Sequence, residues 1–225
     1  MRARIRTVKH LKSARTDPAR FRRTTRVNPK IKEMAASFMG SERHKVEQIA
    51  KKVLEQIPPS NTINQVEKQR IFRRGAEVTI KQKKPIGPFH CAERCNLALA
   101  LLNAAGVKSW LARVFVFIPK TKKFIFHDYV EFSHRGGVST LVFTNNLGTS
   151  KNHVIFEGPV EASIGAVGSY VFRAVDSKQI GGIGNWEEYE RYNKKLRINY
   201  LKEVEKNYRR IGLMQREGLM PPSFL

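Results

Sequence analysis

The stretch Phe89-His90-Cys91-Ala92-Glu93-Arg94-Cys95-Asn96-Leu97-Ala98-Leu99-Ala100-Leu101-Leu102-Asn103-Ala104-Ala105-Gly106 decides how the rest of the chain is arranged. Pro85, Gly87 and Pro88 interrupt the chain just upstream, and good helix formers fill nearly every position from Ala92 to Ala105. Gly106 is placed to close that helix in a left-handed cap. Cys91, Cys95, Ala98 and Leu102 share one side by i, i+3 and i+4 spacing, while Leu97, Leu99, Leu101 and Ala105 widen the apolar surface almost to a full cylinder. A helix this apolar is expected inside, with a sheet on one side and further helices on the other. Cys91 stands at its start, where unpaired backbone amides and the positive end of the helix dipole favour negative charge on sulfur.

The segment downstream reads as three antiparallel strands. Trp110 to Ile118 is a strongly apolar strand ended by Pro119 and the Lys120-Thr121-Lys122-Lys123 turn, and Lys123 to Phe132 is its hairpin partner, carrying His127. The His134-Arg135-Gly136-Gly137 turn leads into a third strand, Val138 to Thr144. With the turn centred on residues 135 and 136, residue i pairs with about 271 − i, which sets His127 opposite Thr144 and brings Asn145 within reach. An Asn or Asp beside an imidazole accepts from one ring nitrogen and leaves the other free to take a thiol proton. Asn145 leads as this third group; Asn146, Asp128 and Asp176 remain open.

Together these segments resemble the transglutaminase-like superfamily, whose chemistry is papain-like. In that family a nucleophilic Cys opens a buried helix, a His follows on a strand, and an Asp or Asn lies on the next strand. The helix typically has a small residue four positions after the Cys and a Gly fifteen positions after it; Cys95 and Gly106 take those places. The family's strand pattern of His, any residue, aromatic, Val and Glu is matched by His127-Asp128-Tyr129-Val130-Glu131. The resemblance covers roughly residues 56 to 146. Phe89 stands where the family often has Gly, Gly106-Val107-Lys108-Ser109-Trp110 keeps only the outline of its Gly-Ile-Pro-Ala-Arg, and Leu141 to Asn145 departs from its Trp and Asp-Pro-Thr pattern.

The resemblance implies an α+β fold with a transglutaminase-like, papain-like core, its nucleophile-bearing central helix packed on an antiparallel sheet. The division expected is a basic arm at residues 1–30, the core at 31–176 and a helical extension packed on it at 177–225. In the arm, Val27-Asn28-Pro29 reads as a closing turn. Ser41 is placed to cap a helix whose apolar stripe is Val46, Ile49, Ala50, Val53, Leu54 and Ile57, and a second, more polar helix follows from Asn61 to about Ala76. After Asn145 come short strands at His153 to Phe156 and Tyr170 to Val175, then a long amphipathic helix from Trp186 capped by Asn185 with Glu188.

Composition bounds the rest. The chain has 225 residues, 41% of them hydrophobic, which is globular, and a formal net charge of +23. Residues 1 to 84 hold 23 Lys and Arg against 7 Asp and Glu, a net +16, while residues 85–173 and 174–225 carry only +4 and +3. Such a surface attracts polyanions and binds RNA or DNA through counterion release. The two cysteines lie four apart on one helix, so they make no disulfide framework, and a reducing, cytoplasmic setting is expected. The basic start lacks an apolar region after it, and no run of 18 apolar residues occurs, so neither a secretion signal nor a membrane span is expected.

The chemistry implied is acyl transfer through Cys91, His127 and Asn145, with hydrolysis of a protein or peptide amide preferred over transfer to an amine and no cofactor needed. Glu131 shares the face of His127 and is expected to bind Arg94 or Arg113 in a structural role; Cys95 is expected in the core, Trp110 in the core or a pocket wall. His90 could shape the entrance, donate to an oxyanion or simply be exposed. His90, Cys91, Cys95 and His127 also form a soft-metal set, though without the short knuckle spacing of structural zinc sites. The alternative function is a basic nucleic-acid or ribonucleoprotein binding protein on a catalytically inactive scaffold of this kind.

Overall fold

The computed structural model describes residues 25–58, 76, 80, 90–118, 123–143, 152–160, 169–174, 191 and 194. Three helices, α1 (Pro29–Ala36), α2 (Glu42–Gln56) and α3 (His90–Ala104), precede five strands: β1 (Ser109–Ile118), β2 (Lys123–His134), β3 (Gly137–Phe143), β4 (His153–Glu157) and β5 (Ser169–Ala174). The strands form one sheet in the order β4-β3-β2-β1-β5, every neighbouring pair antiparallel. α3 lies on β1, β2 and β3, and α1 and α2 pack against α3 from its other side. This is an α+β domain with helices layered on an antiparallel sheet.

The layering accounts for the composition of α3. Cys95 and Leu97 through Leu102 are buried from solvent, because helices cover one side of α3 and the sheet covers the other. Its C-terminus closes as the sequence predicts: Gly106 has φ +76°, its N–H donates to the Asn103 carbonyl at 3.3 Å, and Val107 N–H donates to Leu102 at 2.9 Å. That pair of bonds is a Schellman closure, with Val107 and Leu102 both buried beneath it. Lys45 Nζ from α2 donates to the Ala105 carbonyl at 3.2 Å, placing a cation at the negative end of the helix.

α2 begins as expected, with Ser41 Oγ accepting from His44 N at 3.4 Å and Val46, Ile49, Ala50, Val53 and Ile57 buried. α1 is an element the sequence reading passed over. Val27-Asn28-Pro29 is not a simple turn: Asn28 Oδ1 caps a helix by accepting from Ile31 N at 2.8 Å, and Pro29 begins that helix, where a missing N–H is harmless. Two buried residues, Ile31 and Ala35, anchor it; a stripe that short lies below the window in which periodicity is legible.

The hairpin between β2 and β3 turns through Arg135 (φ 49°) and Gly136 (φ 75°), two successive left-handed residues as in a type I′ turn. Its register runs from His134 opposite Gly137 to Val130 opposite Leu141, the pairing sum of about 271 that the turn predicts. Among the described residues the ladder stops there. β2 continues alongside β1 to Lys123, and β3 continues alongside β4 to Phe143, so the two strands part beyond Val130 and Leu141.

Two clusters divide the faces of the sheet. Leu111, Val130, Phe132, Leu141 and Phe143 join the helices in the main core, while Ala112, Val114 and Val160 with Tyr129 form a second cluster on the opposite face. On the helix side, Arg113 Nε and Nη2 donate to the two carboxylate oxygens of Asp128 at 2.6 and 2.8 Å, with both side chains buried. The arm before residue 25 and, apart from Ala76, Arg191 and Lys194, the helices expected at Asn61–Ala76 and from Trp186 lie outside the described residues. Among the described residues, no helix is long and apolar enough to cross a membrane.

A buried charge left alone is far costlier than a lost cap. Asp128→Ala is therefore expected to lower unfolding stability by ~3–5 kcal/mol, and Asn28→Ala by ~1 kcal/mol. Urea unfolding of the full chain checks this; equal, small losses for the two variants would contradict the assignment of the Arg113–Asp128 pair.

Candidate active site

Cys91 sits in the first turn of α3 and is 9% exposed, buried except for a small accessible patch. His127 lies on β2, three residues past the last pair with β3, and is partly buried. Their side chains are hydrogen-bonded to each other, and the imidazole makes a second hydrogen bond to the main chain of Phe143. The second bond favours the protonated ring, so the ring N–H donates to the Phe143 carbonyl. Cys91 and His127 therefore meet beside the end of the described β2–β3 ladder.

The charge balance at His127 follows from these contacts. Burial opposes protonation and is the largest single influence. Electrostatic interaction with Cys91, its hydrogen bond, the charge of Asp128 and the Phe143 carbonyl all favour protonation and together outweigh burial, so the pKa lies above its ordinary 6.5. Cys95 differs sharply from Cys91. It is fully buried, its thiol donates to the Asp128 carbonyl at 3.2 Å, and burial, reinforced by Asp128 and Cys91, pushes its pKa well up. Both cysteines are unbridged thiols.

Asp128, weighed as a third group, faces the other way. Alternation along β2 puts it on the helix side, where Arg113 holds it, while His127, Tyr129 and Glu131 share the opposite face. Glu131 was expected to bind Arg94 or Arg113; among the described residues it bonds to Trp110 and Val160, with Oε2 accepting from Trp110 Nε1 and Oε1 from the Val160 main-chain N–H at 2.9 Å. Trp110 is accordingly half-buried and hydrogen-bonded. Arg94 is buried, which lowers its pKa, and its Nε donates to the Ile57 carbonyl at 3.1 Å.

Asn145, Asn146 and Asp176, and the side chain of His90, lie outside the described residues. Of the expected set, Cys91 and His127 are brought together. The Phe143 carbonyl and the Cys95 thiol were not foreseen as participants: a main-chain acceptor leaves no mark in sequence, and a buried Cys reads as a small apolar residue. Tyr129 was read only as the aromatic of the strand pattern and given no part in the site, although period-2 alternation places it on the face of His127. Among the described residues, no group of three or more His, Cys, Asp or Glu side chains is arranged to hold a metal ion.

No protein-family model and no curated protein matches the sequence. A solved structure from Cytophaga hutchinsonii, described as "a Putative Cysteine Protease", is similar over 75% of this chain and 60% of that one, at 13% identity and a TM-score of 0.36. A likeness this distant leaves the function to the geometry of the site.

The order of influences on His127 can be tested directly. Replacing Cys91 by Ala removes both the charge and the hydrogen bond that raise the imidazole pKa, while burial still lowers it. The His127 titration midpoint, followed by NMR of the ring, is expected above 6.5 in the wild type and to fall in Cys91→Ala. An unchanged midpoint would show that the two side chains are not coupled.

Proposed function

We propose that the protein is a cysteine-dependent acyl-transfer enzyme, hydrolysing an amide or peptide bond through Cys91 and His127. The observation that carries this reading is the hydrogen bond between a helix-start thiol and an imidazole whose opposite side is tied to a carbonyl. In this reading one ring nitrogen is held by Phe143 and the other takes the thiol proton, which is the orientation a general base for a thiol requires. In the forward step His127 takes the Cys91 proton, sulfur attacks the substrate carbonyl, and His127 returns the proton to the departing amine. Water, deprotonated by the same ring, then releases the acid and restores the thiol. Main-chain amides in the first turn of α3 supply hydrogen bonds to the oxyanion. The orienting acceptor in this proposal is the Phe143 carbonyl, alone or with Asn145.

The transglutaminase-like resemblance of the Cys91 helix and the His127-Asp128-Tyr129-Val130-Glu131 strand supports the same reading, with a protein or peptide carboxamide as substrate. The choice between water and an amine as acceptor follows from simplicity: water needs no second binding surface.

Residue-resolved alkylation with iodoacetamide over a pH series tests the proposal without a known substrate. Cys91 is expected to react well ahead of Cys95, and His127→Ala to slow Cys91 by ~10-fold or more near neutral pH. An acyl-directed electrophile run beside iodoacetamide covers a thiol shielded in the resting form. Equal, slow reaction of both cysteines, indifferent to His127→Ala, would leave the alternative: a basic RNA- or DNA-binding protein on a scaffold without chemistry.

A further inference from the structure

We infer that Tyr129 is a positioning residue for His127: the two rings meet edge to face, and that contact holds the imidazole in the rotamer that reaches Cys91. The inference rests on Cys91 and His127 being the reacting pair. Tyr129 lies two residues along β2 from His127, on the same face. The ring centroids are 4.7 Å apart at an interplanar angle of 68°, a T-shaped aromatic contact.

Hydrogen bonds to Cys91 and Phe143 restrain the imidazole but leave it room to tilt, and the terminal torsion of histidine is intrinsically broad. A lateral contact is what removes this freedom. Tyr129 is itself held firmly enough to supply one. It packs against Ala112, Val114 and Val160, all fully buried; Ala112 is its own partner on β1, and Val114 is the partner of His127. Val160 is fixed in turn by its main-chain bond to Glu131, whose second oxygen takes the Trp110 indole. The outer face of β2 thus forms a continuous support from Trp110 through Glu131, Val160 and Tyr129 to the imidazole.

The phenol suits this role and no acid–base one. Burial first, and then the neighbouring Cys91, Cys95 and Asp128, push its pKa up to about 12, so it stays neutral wherever the imidazole titrates. Among the described residues, the groups that act on His127 are Cys91 from α3, Tyr129 on its own face of β2, the Phe143 carbonyl from β3 and, from the other face of β2, the charge of Asp128, with Val114 as its partner on β1. Removing the Tyr129 ring therefore changes the restraint on the imidazole without removing a charge.

The test compares Tyr129→Leu and Tyr129→Phe in the full chain, with His127→Ala as reference, by the rate and pH profile of Cys91 alkylation. Tyr129→Leu is expected to slow Cys91 about tenfold near neutral pH and to flatten the His127-dependent step, as a displacement near the ångström scale would; Tyr129→Phe, which keeps the ring, is expected to rescue both. A folded Tyr129→Leu with wild-type rate and profile, while His127→Ala is slow, overturns the positioning role and leaves the reacting pair intact. A His127→Ala without effect removes the pair, and the proposal with it. Should Tyr129→Leu fail to fold, ring-to-ring NOEs between His127 and Tyr129 in the wild type are expected throughout the imidazole titration, and their absence overturns the proposal.

Discussion

Asp128 is held at both ends, and the site depends on it. Its carboxylate is clamped by Arg113 in a buried, two-point pair, and its carbonyl accepts the Cys95 thiol from one turn inside α3. The described β2–β3 ladder ends two residues away, at Val130, while Asp128 stays paired with Arg113 on β1, and its carbonyl is satisfied by the helix. This ties β2 to α3 and to β1 just where it separates from β3. The neighbouring residue is His127, whose position against Cys91 is thereby a consequence of the core rather than of a surface loop.

The same arrangement gives the two cysteines different characters on one helix face. Cys95 is fully buried and spends its proton on a carbonyl, so its environment keeps it a neutral thiol. Cys91 lies one turn earlier, retains slight exposure and is bonded to an imidazole rather than a carbonyl. A carbonyl can only accept, whereas an imidazole can accept a proton and later return it. The chemical difference between the two sulfurs thus comes from which group β2 presents at each turn of α3.

Much of this was legible in the sequence, and particular residues show why. The α3 helix, its Gly106 closure, the hairpin through Arg135 and Gly136, and the pairing sum of that hairpin follow from local rules of capping, periodicity and turn chemistry. The placement of Cys91 at a helix start and of His127 on a strand was also readable, because both are local features; that the two meet was an expectation from the family resemblance. What the sequence withheld was where the ladder ends. Continuing the register past Val130 puts Thr144 opposite His127, a pairing that lies outside the described residues, and the imidazole reaches the main chain of Phe143. The partners of Glu131 were missed for a related reason: Trp110 is its cross-strand neighbour, but Val160 arrives through tertiary contact. The Asn28 cap went unread because α1 is short and buries only two residues.

The most direct measurement of the central claim is to catch the acyl-enzyme. The full chain is mixed with an activated acyl ester, quenched in acid at intervals, and mapped peptide by peptide for the added acyl mass. A Cys91–His127 pair that performs acyl transfer predicts a thioester on Cys91 that forms early and decays as acid is released, and that neither forms nor decays at comparable speed in His127→Ala. Acyl groups found on lysines or on Cys95, with Cys91 unlabelled at every time point, would contradict it.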